Sequence, residues 1–286
     1  MKIRLHPIIL ILYFGSMITF TMCTLHIFML LISLFMGVLF LSFLVGIKKV
    51  VKSYLLPILP LFLLIVFVNG AFNHYGETSL YMMDNGNSIT LECILFGIVM
   101  GLMVMATLIW LASFNQIIKS DDVLYLTGKI LPSISLVISM SLRFIPLYKK
   151  NLREIKKTSK ILGQYNDGKK ISRIKTSYHN YSILFSRCLE ESVETASSMQ
   201  NRGFGVKSRT MYHNYHFGIR EIRQIIYLSI FILIVFVGYF KGLCYANYNP
   251  AVIIKNNVFV FIAYVVLGVF PIVFYFAENR KYKEGK

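Results

Sequence analysis

The sequence predicts an all-α, polytopic membrane protein with about six transmembrane helices and two long amphipathic helices on the cytoplasmic side. Apolar residues make up 56% of the 286 residues and charged residues 15%, whereas soluble domains have about 45–50% apolar and about 25% charged residues. The apolar residues form separate long runs. Between the fourth and fifth runs lies a polar segment that holds more than half of the basic residues. These three observations together define the fold class.

Six apolar stretches are the predicted membrane spans. They are residues 8–22, 28–46, 55–68, 93–113, 225–240 and 258–276. All six are uncharged, as a helix that crosses a bilayer requires. The third carries Pro57 and Pro60, which membrane helices tolerate when neighbours satisfy the freed carbonyl groups. Residues 130–140 are apolar but too few to cross, so we expect them to enter the membrane without crossing or to pack against other helices.

The basic residues orient these spans. The chain has 30 Lys and Arg against 13 Asp and Glu, a net charge of +17. With six crossings and both termini in the cytoplasm, only Lys241 and Lys255 lie outside, as the positive-inside rule favours. We therefore expect a multi-pass plasma-membrane protein whose basic residues lie mostly on the cytoplasmic side. Its expected partners include the lipid bilayer and no nucleic acid. The predicted domains are N-terminal transmembrane helices in residues 1–142, a cytoplasmic helical domain in residues 143–223, and C-terminal transmembrane helices in residues 224–286.

The first amphipathic helix is predicted over residues 141–163. Its apolar residues recur every three or four positions, with Ser159 in the same row, and are Phe144, Tyr148, Leu152, Ile155 and Leu162. Pro146 lies near its start and is expected to kink the helix or to begin a new helical segment. Gly163 is placed like a C-terminal cap.

The second amphipathic helix is predicted over residues 178–201, after a polar linker of residues 164–175. Its apolar stripe consists of Tyr181, Leu184, Phe185, Cys188, Leu189, Val193, Ala196 and Met199. Gly203 is the residue type that ends a helix with positive φ. Arg202 then lies at the helix C-terminus, where the helix dipole favours a cation.

The sequence lacks common catalytic and metal-binding motifs. It contains no Walker A motif, no HExxH motif and no CxxC pair, so a P-loop nucleotide site and zinc sites of these types are excluded. His213 and His216 have metal-like spacing, but no acid or cysteine adjoins them and a polar loop is expected. Glu190 and Glu191 are expected on a solvated helix face.

Two other function classes stay open on composition alone. A membrane enzyme could hold an anionic substrate with the basic segment, and loss of activity on changing Glu190 or Glu191, with assembly intact, would favour it. A peripheral scaffold could bind anionic lipid through its basic helices. Tolerance of Arg202→Glu, together with sensitivity to neutralising many lysines, would favour the scaffold.

Two stretches of the polar segment resemble a known family. Residues 141–147 read Ser-Leu-Arg-Phe-Ile-Pro-Leu, and residues 196–205 read Ala-Ser-Ser-Met-Gln-Asn-Arg-Gly-Phe-Gly. They are similar to the Leu-Arg-Phe-Ile-Pro opening and the Ala-Arg-Gly-(Tyr/Phe) ending of the coupling helices in the transmembrane T component of energy-coupling factor (ECF) transporters, the group that includes the CbiQ-like cobalt-transport permeases. The matched positions are Arg143, Pro146, Ala196, Met199, Arg202 and Gly203.

The resemblance implies an L-shaped coupling subunit that is not itself an enzyme. In that family, two ATPase subunits bind ATP and Mg²⁺, and one or more S components bind a vitamin or a transition-metal ion for uptake, so no cofactor is expected in this chain. The implied ATPase-docking residues at the second helix tip are Asn201, Arg202 and Gly203. At the first tip they are Ile161, Leu162 and Gly163, with leucine where the family has arginine. The resemblance therefore implies two unlike tips.

Overall fold

Helices make up most of the regular structure of the chain. The computed structural model describes residues 6–73, 76, 78–82, 88–118, 122–123, 125–126, 128, 132–164, 170–205, 218–248 and 252–284. The helices are α1 (Pro7–Cys23), α2 (Ile27–Val45), α3 (Ile47–Val50), α4 (Leu56–Phe72), α5 (Leu91–Ile117), α6 (Pro132–Ile161), α7 (Lys170–Asn201), α8 (Ile219–Phe240) and α9 (Val258–Glu284). A π-helical turn, Val51–Leu55, joins α3 to α4 without a break. The predicted all-α class is confirmed.

The contacts divide the chain into two compact units. One contains Met1–Asp122 and Tyr215–Lys286, and the other contains Val123–Asn214. The first unit holds α1 to α5, α8 and α9, and the second holds α6 and α7. Helix α6 runs through residue 143 without a break.

Each of the six predicted spans coincides with an apolar helix. Four helical stretches are long and apolar enough to cross a bilayer, and they are Ile27–Val45, Ile47–Phe72, Leu91–Ile117 and Ile219–Phe240. Two shorter apolar helices are Pro7–Cys23 and Val258–Val273. The predicted span of residues 55–68 is part of a longer helical stretch, Ile47–Phe72, which also includes Lys48, Lys49 and Lys52. The chain is a multi-pass membrane protein.

Two small hairpins connect the apolar helices of this unit. Strand β1 (Ser79–Met82) pairs antiparallel with β2 (Ser88–Thr90), within the polar stretch between α4 and α5. The Thr78 hydroxyl beside β1 donates to Glu92 Oε1 in the first turn of α5 at 2.7 Å. Strands β3 (Ala246–Asn247) and β4 (Ile253–Ile254) form the second hairpin, between α8 and α9.

Helix α5 is central to the membrane unit and packs against α1, α2 and α4. Gly97 and Gly101, four residues apart, face α4. A Cβ on Gly97 would lie 3.2 Å from the backbone of Val66, and one on Gly101 would lie 2.6 Å from the Phe62 ring. This Gly-x-x-x-Gly pair lets the two helix backbones approach closely, as small residues do in membrane helices.

A polar contact inside the aromatic core ties three helices together. Trp110 of α5 is fully buried, and its indole N–H donates to the Ser33 hydroxyl of α2 at 2.9 Å. The Thr21 hydroxyl of α1 lies 3.1 Å from that same oxygen. Edge-on ring contacts join Trp110 to Tyr13 and Phe14 of α1. The core is therefore specified by hydrogen bonds as well as by ring packing.

Candidate functional site

Helices α6 and α7 pack as an antiparallel pair. Residues later in α6 contact residues earlier in α7, so the two helices run in opposite directions. In order along α6, the contacting pairs are Tyr148 with Cys188, Lys156 with Tyr181, Ser159 with Asn180, and Gln164 with Thr176. An antiparallel arrangement places the C-terminal tip of α6 and the C-terminal tip of α7 at opposite ends of the pair.

Both helices begin earlier than the sequence patterns predicted. Helix α6 starts at Pro132 and not at residue 141, so residues 132–140 continue directly into the basic part of the same helix. Proline is favoured at the first position of a helix, where its missing N–H costs nothing. Pro146 therefore lies inside α6 and begins no new segment.

Helix α7 starts at Lys170 and not at residue 178, which shortens the predicted linker of residues 164–175. The added turns place Thr176 in the interface, where its hydroxyl donates to the Gln164 carbonyl at 2.9 Å. This tertiary contact explains why the helix extends into a sequence that is polar and basic.

The contact between the two helices is polar at its centre. The buried side chains there are Asn151, Ser159, Thr176 and Asn180. The Ser159 hydroxyl donates to the Asn180 side-chain oxygen. The sequence pattern identified Ser159 only as a small residue within an apolar row and did not identify the other three. The available signal was their spacing, since Thr176 and Asn180 lie four residues apart, as do positions on one helix face.

Helix α7 does not bury the whole of the apolar stripe that its sequence predicts. Five apolar side chains of α7, which we call the exposed stripe, are each more than half exposed, and they are Tyr178, Tyr181, Phe185, Leu189 and Val193. Ala196 is exposed as well. Leu184, Cys188 and Met199, which the same pattern had grouped with them, are partly buried. The pattern combined two neighbouring faces of the helix, and the face with Leu184, Cys188 and Met199 is the more buried of the two.

Tyr148 of α6 contacts Cys188 of α7, and of the pairs named above this one lies closest to the start of the basic segment. Burial raises the pKa of the Tyr148 hydroxyl, as do its hydrogen bond with the Cys188 side chain and the nearby Glu191 carboxylate. The Phe144 ring stacks on Tyr148 with the ring centres 5.6 Å apart. The Arg143 guanidinium in turn lies 5.7 Å from the centre of the Phe144 ring. Arg143 thus supports the aromatic end of the contact.

The C-terminal ends of α6 and α7 are capped by the same pattern of backbone hydrogen bonds. At the end of α6, the Gly163 N–H donates to the Lys160 carbonyl at 3.2 Å, and the Gln164 N–H donates to the Ser159 carbonyl at 3.1 Å. Gly163 has a φ of 73°, a left-handed conformation that glycine adopts without strain. These bonds form a Schellman cap.

The end of α7 repeats this cap. The Gly203 N–H donates to the Gln200 carbonyl and the Phe204 N–H donates to the Met199 carbonyl, both at 3.0 Å. Gly203 has a φ of 79°. Gly163 and Gly203 are therefore equivalent positions, and Leu162 is the equivalent of Arg202.

The equivalent tips carry unlike side chains. Ile161 is 86% exposed and Leu162 is 68% exposed. Asn201 and Arg202 are exposed too, and Arg202 forms no ion pair with any residue that the structure describes. A shallow depression beside the second tip is lined by Val193, Glu194, Ser197, Ser198, Asn201 and Arg202. The first tip is apolar and the second is cationic.

The tips also lie at matching distances from one contact. Tyr148 precedes Leu162 by 14 residues and Cys188 precedes Arg202 by 14 residues. At the helical rise per residue, each tip lies about 21 Å along its helix from the Tyr148–Cys188 contact. Counted along the two helices, the tips are therefore equally far from this contact, and they differ in their side chains.

The candidate metal ligands do not cluster in the described part of the chain. Glu191 is paired with Arg187 on the surface of α7, with Arg187 Nε 3.1 Å from Glu191 Oε1. Within the described ranges, no group of three or more His, Cys, Asp or Glu side chains could hold a metal ion. His213 and His216 lie outside the described residues.

The fold and this helix pair define a class of protein: an all-α, multi-pass membrane protein with an antiparallel helical pair in its polar segment. The sequence profile of the CbiQ family, described as cobalt transport protein, matches residues 3–212. That match covers most of the chain, including both helix tips, and the chain belongs to the CbiQ family. No curated protein sequence matches it. The chain is therefore the membrane component of a transport system of the cobalt type, and the resemblance in its sequence is confirmed.

Proposed function

We propose that this chain is the transmembrane coupling subunit of an ECF-type importer. In this role it passes the ATP-driven motion of a cytoplasmic ATPase pair to a substrate-binding S component, for uptake of a vitamin or a transition-metal ion. The observation that carries the proposal is the antiparallel pair of helices with identically capped tips. ATP and Mg²⁺ are bound by the ATPases, and this chain holds no cofactor and catalyses no reaction.

The spacing of the tips supports contact with two ATPase subunits. The tips point to opposite ends of the pair and are at most about 40 Å apart along the helices. One groove on one subunit cannot receive both. Two subunits can receive one tip each, because the tips lie at opposite ends of the pair and equally far along their helices from the Tyr148–Cys188 contact.

The chemistry of the second tip supports a docking role for Arg202. Its guanidinium is exposed, and a planar fork of donors can pair bidentately with a carboxylate on a partner. Gly203 turns the chain away directly after it, so the side chain stands at the end of the helix. Asn201 lies beside it and adds a polar group to the same depression.

The remaining surface of the helix pair supports contact with an S component. The exposed stripe of α7 presents aromatic and aliphatic side chains that are each more than half exposed, Tyr181 among them although Lys156 of α6 lies over its ring. Exposed apolar patches of this kind mark interaction sites. We propose that S components pack on this stripe, that the basic residues of α6 face the cytoplasm, and that both termini lie there as well.

The test is co-purification of the ATPases with the tagged chain from detergent. We expect Arg202→Glu to lose the ATPases, because the substitution places a carboxylate against the acidic groove that we propose for this tip. We expect Leu162→Glu to lose them too, because it places a charge in an apolar contact. Both side chains are exposed, so neither change affects the core.

Two matched controls carry the same substitutions away from the tips. Arg153→Glu reverses an exposed charge nine residues before Leu162 on α6, and Leu147→Glu replaces an exposed apolar side chain fifteen residues before it. Both are expected to retain the ATPases. If wild type retains no ATPase, or if the tip variants retain as much as these controls, the docking role is wrong.

A further inference from the structure

One side of α6 changes from apolar to basic along its length. Six exposed side chains recur there every three or four residues and so share one side of the helix, and they are Leu142, Ile145, Lys149, Arg153, Lys156 and Lys160. We call the last four the basic row. It begins one turn after Ile145 and extends for about 16 Å along α6.

The basic row points away from the contact with α7. Two residues turn an α-helix by slightly more than half a circle, so Lys149 and Arg153, two residues before and after the buried Asn151, lie on nearly the opposite side of α6. Lys156 lies closer to α7, with its Nζ 5.7 Å from the centre of the Tyr181 ring. Within the described ranges, no cation of the row forms an ion pair. The row can therefore bind an anion from outside the helix pair.

We propose that this side of α6 binds anionic phospholipid headgroups of the cytoplasmic leaflet, with Leu142 and Ile145 at the depth of the acyl chains and the basic row against the phosphates. Clusters of Lys and Arg that directly follow an apolar segment attract acidic lipids in this way. Their aliphatic stems lie along apolar surface while the charges reach the phosphates. The inference uses the cytoplasmic location that we propose for the basic residues, and it does not depend on ATPase docking.

The apolar start of the same side favours a lipid over an acidic protein. An acidic protein surface would complement the cations of the row. It would not account for the exposed Leu142 and Ile145 in line with them, or for the exposed Ile134 and Val137 in the apolar part of α6 before them. A bilayer supplies an apolar layer and then an anionic layer, in the order in which α6 presents its matching side chains.

Lipid binding and docking of the α6 tip use different sides of the helix. Leu162 follows Lys160 by two residues and is still within the helical hydrogen bonding, because its N–H donates to the Thr158 carbonyl at 2.9 Å. It therefore lies on nearly the opposite side of α6 from Lys160. The lipid contact and the proposed ATPase contact can be present together, and the basic row then holds α6 at the membrane surface while its tip contacts the ATPase.

Photo-crosslinking from two neighbouring positions of α6 tests the inference. A benzophenone amino acid replaces either Ile145, which is in line with the basic row, or Leu147, which is similarly exposed but lies on another side of the helix. Each tagged, full-length protein is irradiated in nanodiscs of phosphatidylcholine with a minor share of phosphatidylglycerol, and the lipid adducts are identified by mass spectrometry. We expect position 145 to capture phosphatidylglycerol at least about fivefold above its share in the bilayer, and position 147 to show no such enrichment. Capture at position 145 in proportion to the bilayer composition, or equal enrichment at both positions, overturns the inference.

A pair of matched double variants shows whether the cations of the row select the lipid. Lys149→Gln, Arg153→Gln removes one Lys and one Arg charge from the basic row, and Arg173→Gln, Lys175→Gln removes the same charges from exposed positions of α7. With the crosslinker at position 145, we expect the first variant to lose the phosphatidylglycerol enrichment and the second to keep it. An equal result for the two variants overturns the role of the row.

The same crosslinker in membranes of the native host separates a lipid from a protein partner. We expect lipid adducts at position 145 there too, and capture of a protein chain in their place would overturn the inference. None of these outcomes bears on ATPase docking, which the co-purification tests separately.

Discussion

The Ser159 hydroxyl of α6 donates a hydrogen bond to the Asn180 side-chain oxygen of α7, and both side chains are buried between the helices. This contact lies one turn before the first tip and joins the two helices directly. Buried polar groups are costly unless they are paired, so the contact selects one register of the helix pair. It fixes the position of Asn180 of α7 against the last turn of α6.

Ser159→Ala is expected to destabilise the helix pair by about 1–3 kcal/mol, the usual cost of removing a buried hydrogen-bond partner. The measurement is the thermal unfolding midpoint of the purified protein in detergent. Ser182→Ala is the matched control, because Ser182 is an exposed serine of α7. An equal midpoint for the two variants would show that the buried contact adds nothing to stability.

Gly203→Val is expected to loosen the end of α7. The φ of 79° at Gly203 is in the left-handed region, where a side chain costs roughly 1–2 kcal/mol and a β-branched one is least tolerated. Asparagine adopts this conformation more readily, so Gly203→Asn is the control. Hydrogen exchange of the Gly203 and Phe204 amides measures the effect. We expect faster exchange with valine than with asparagine, and equal protection in both variants would contradict the role of the cap.

Gly97→Leu is expected to disrupt the packing of α4 on α5. A new Cβ at this position would lie 3.1 Å from Asn69 Cβ and 3.2 Å from Val66 backbone atoms, and the backbone atoms cannot rotate away as a side chain can. Overpacking of this kind costs about 1–3 kcal/mol. Gly15→Leu is the matched control, because a Cβ there meets nothing within 4 Å. The readout is the monodisperse yield on size exclusion, and an equal yield for both variants would contradict the close helix contact.

The sequence patterns predicted the C-terminal ends of α6 and α7, but they did not predict which face of α7 contacts α6. Glycine marks a helix end by a local property, its tolerance of positive φ, and so Gly163 and Gly203 could be assigned from the sequence alone. The six spans could be assigned because uncharged runs of this length need a bilayer. Both signals are local and do not depend on what the chain packs against.

The face of α7 that contacts α6 could not be predicted, because apolar periodicity does not say which partner buries the stripe. Within a soluble domain the apolar stripe usually faces the core. Here the internal contact uses Thr176 and Asn180, and aromatic residues such as Phe185 stay exposed. The early starts of α6 and α7 were missed for a related reason, since tertiary contacts extend helices into sequences that propensity alone leaves open.

Trp110 gives a direct optical test of the membrane unit. It is the only tryptophan of the chain and is fully buried, so we expect a blue-shifted emission maximum and no quenching by aqueous iodide. Its N–H donates to the Ser33 hydroxyl, so Ser33→Ala leaves a buried donor without this partner and is expected to cost about 1–3 kcal/mol. Ser42→Ala on the same helix is the control, because that hydroxyl donates to the Val38 carbonyl of its own helix at 2.7 Å. The thermal midpoint should fall further for Ser33→Ala than for Ser42→Ala. Iodide quenching of the wild type would contradict the burial of Trp110, because the dissolved ion can only reach a ring that is open to water.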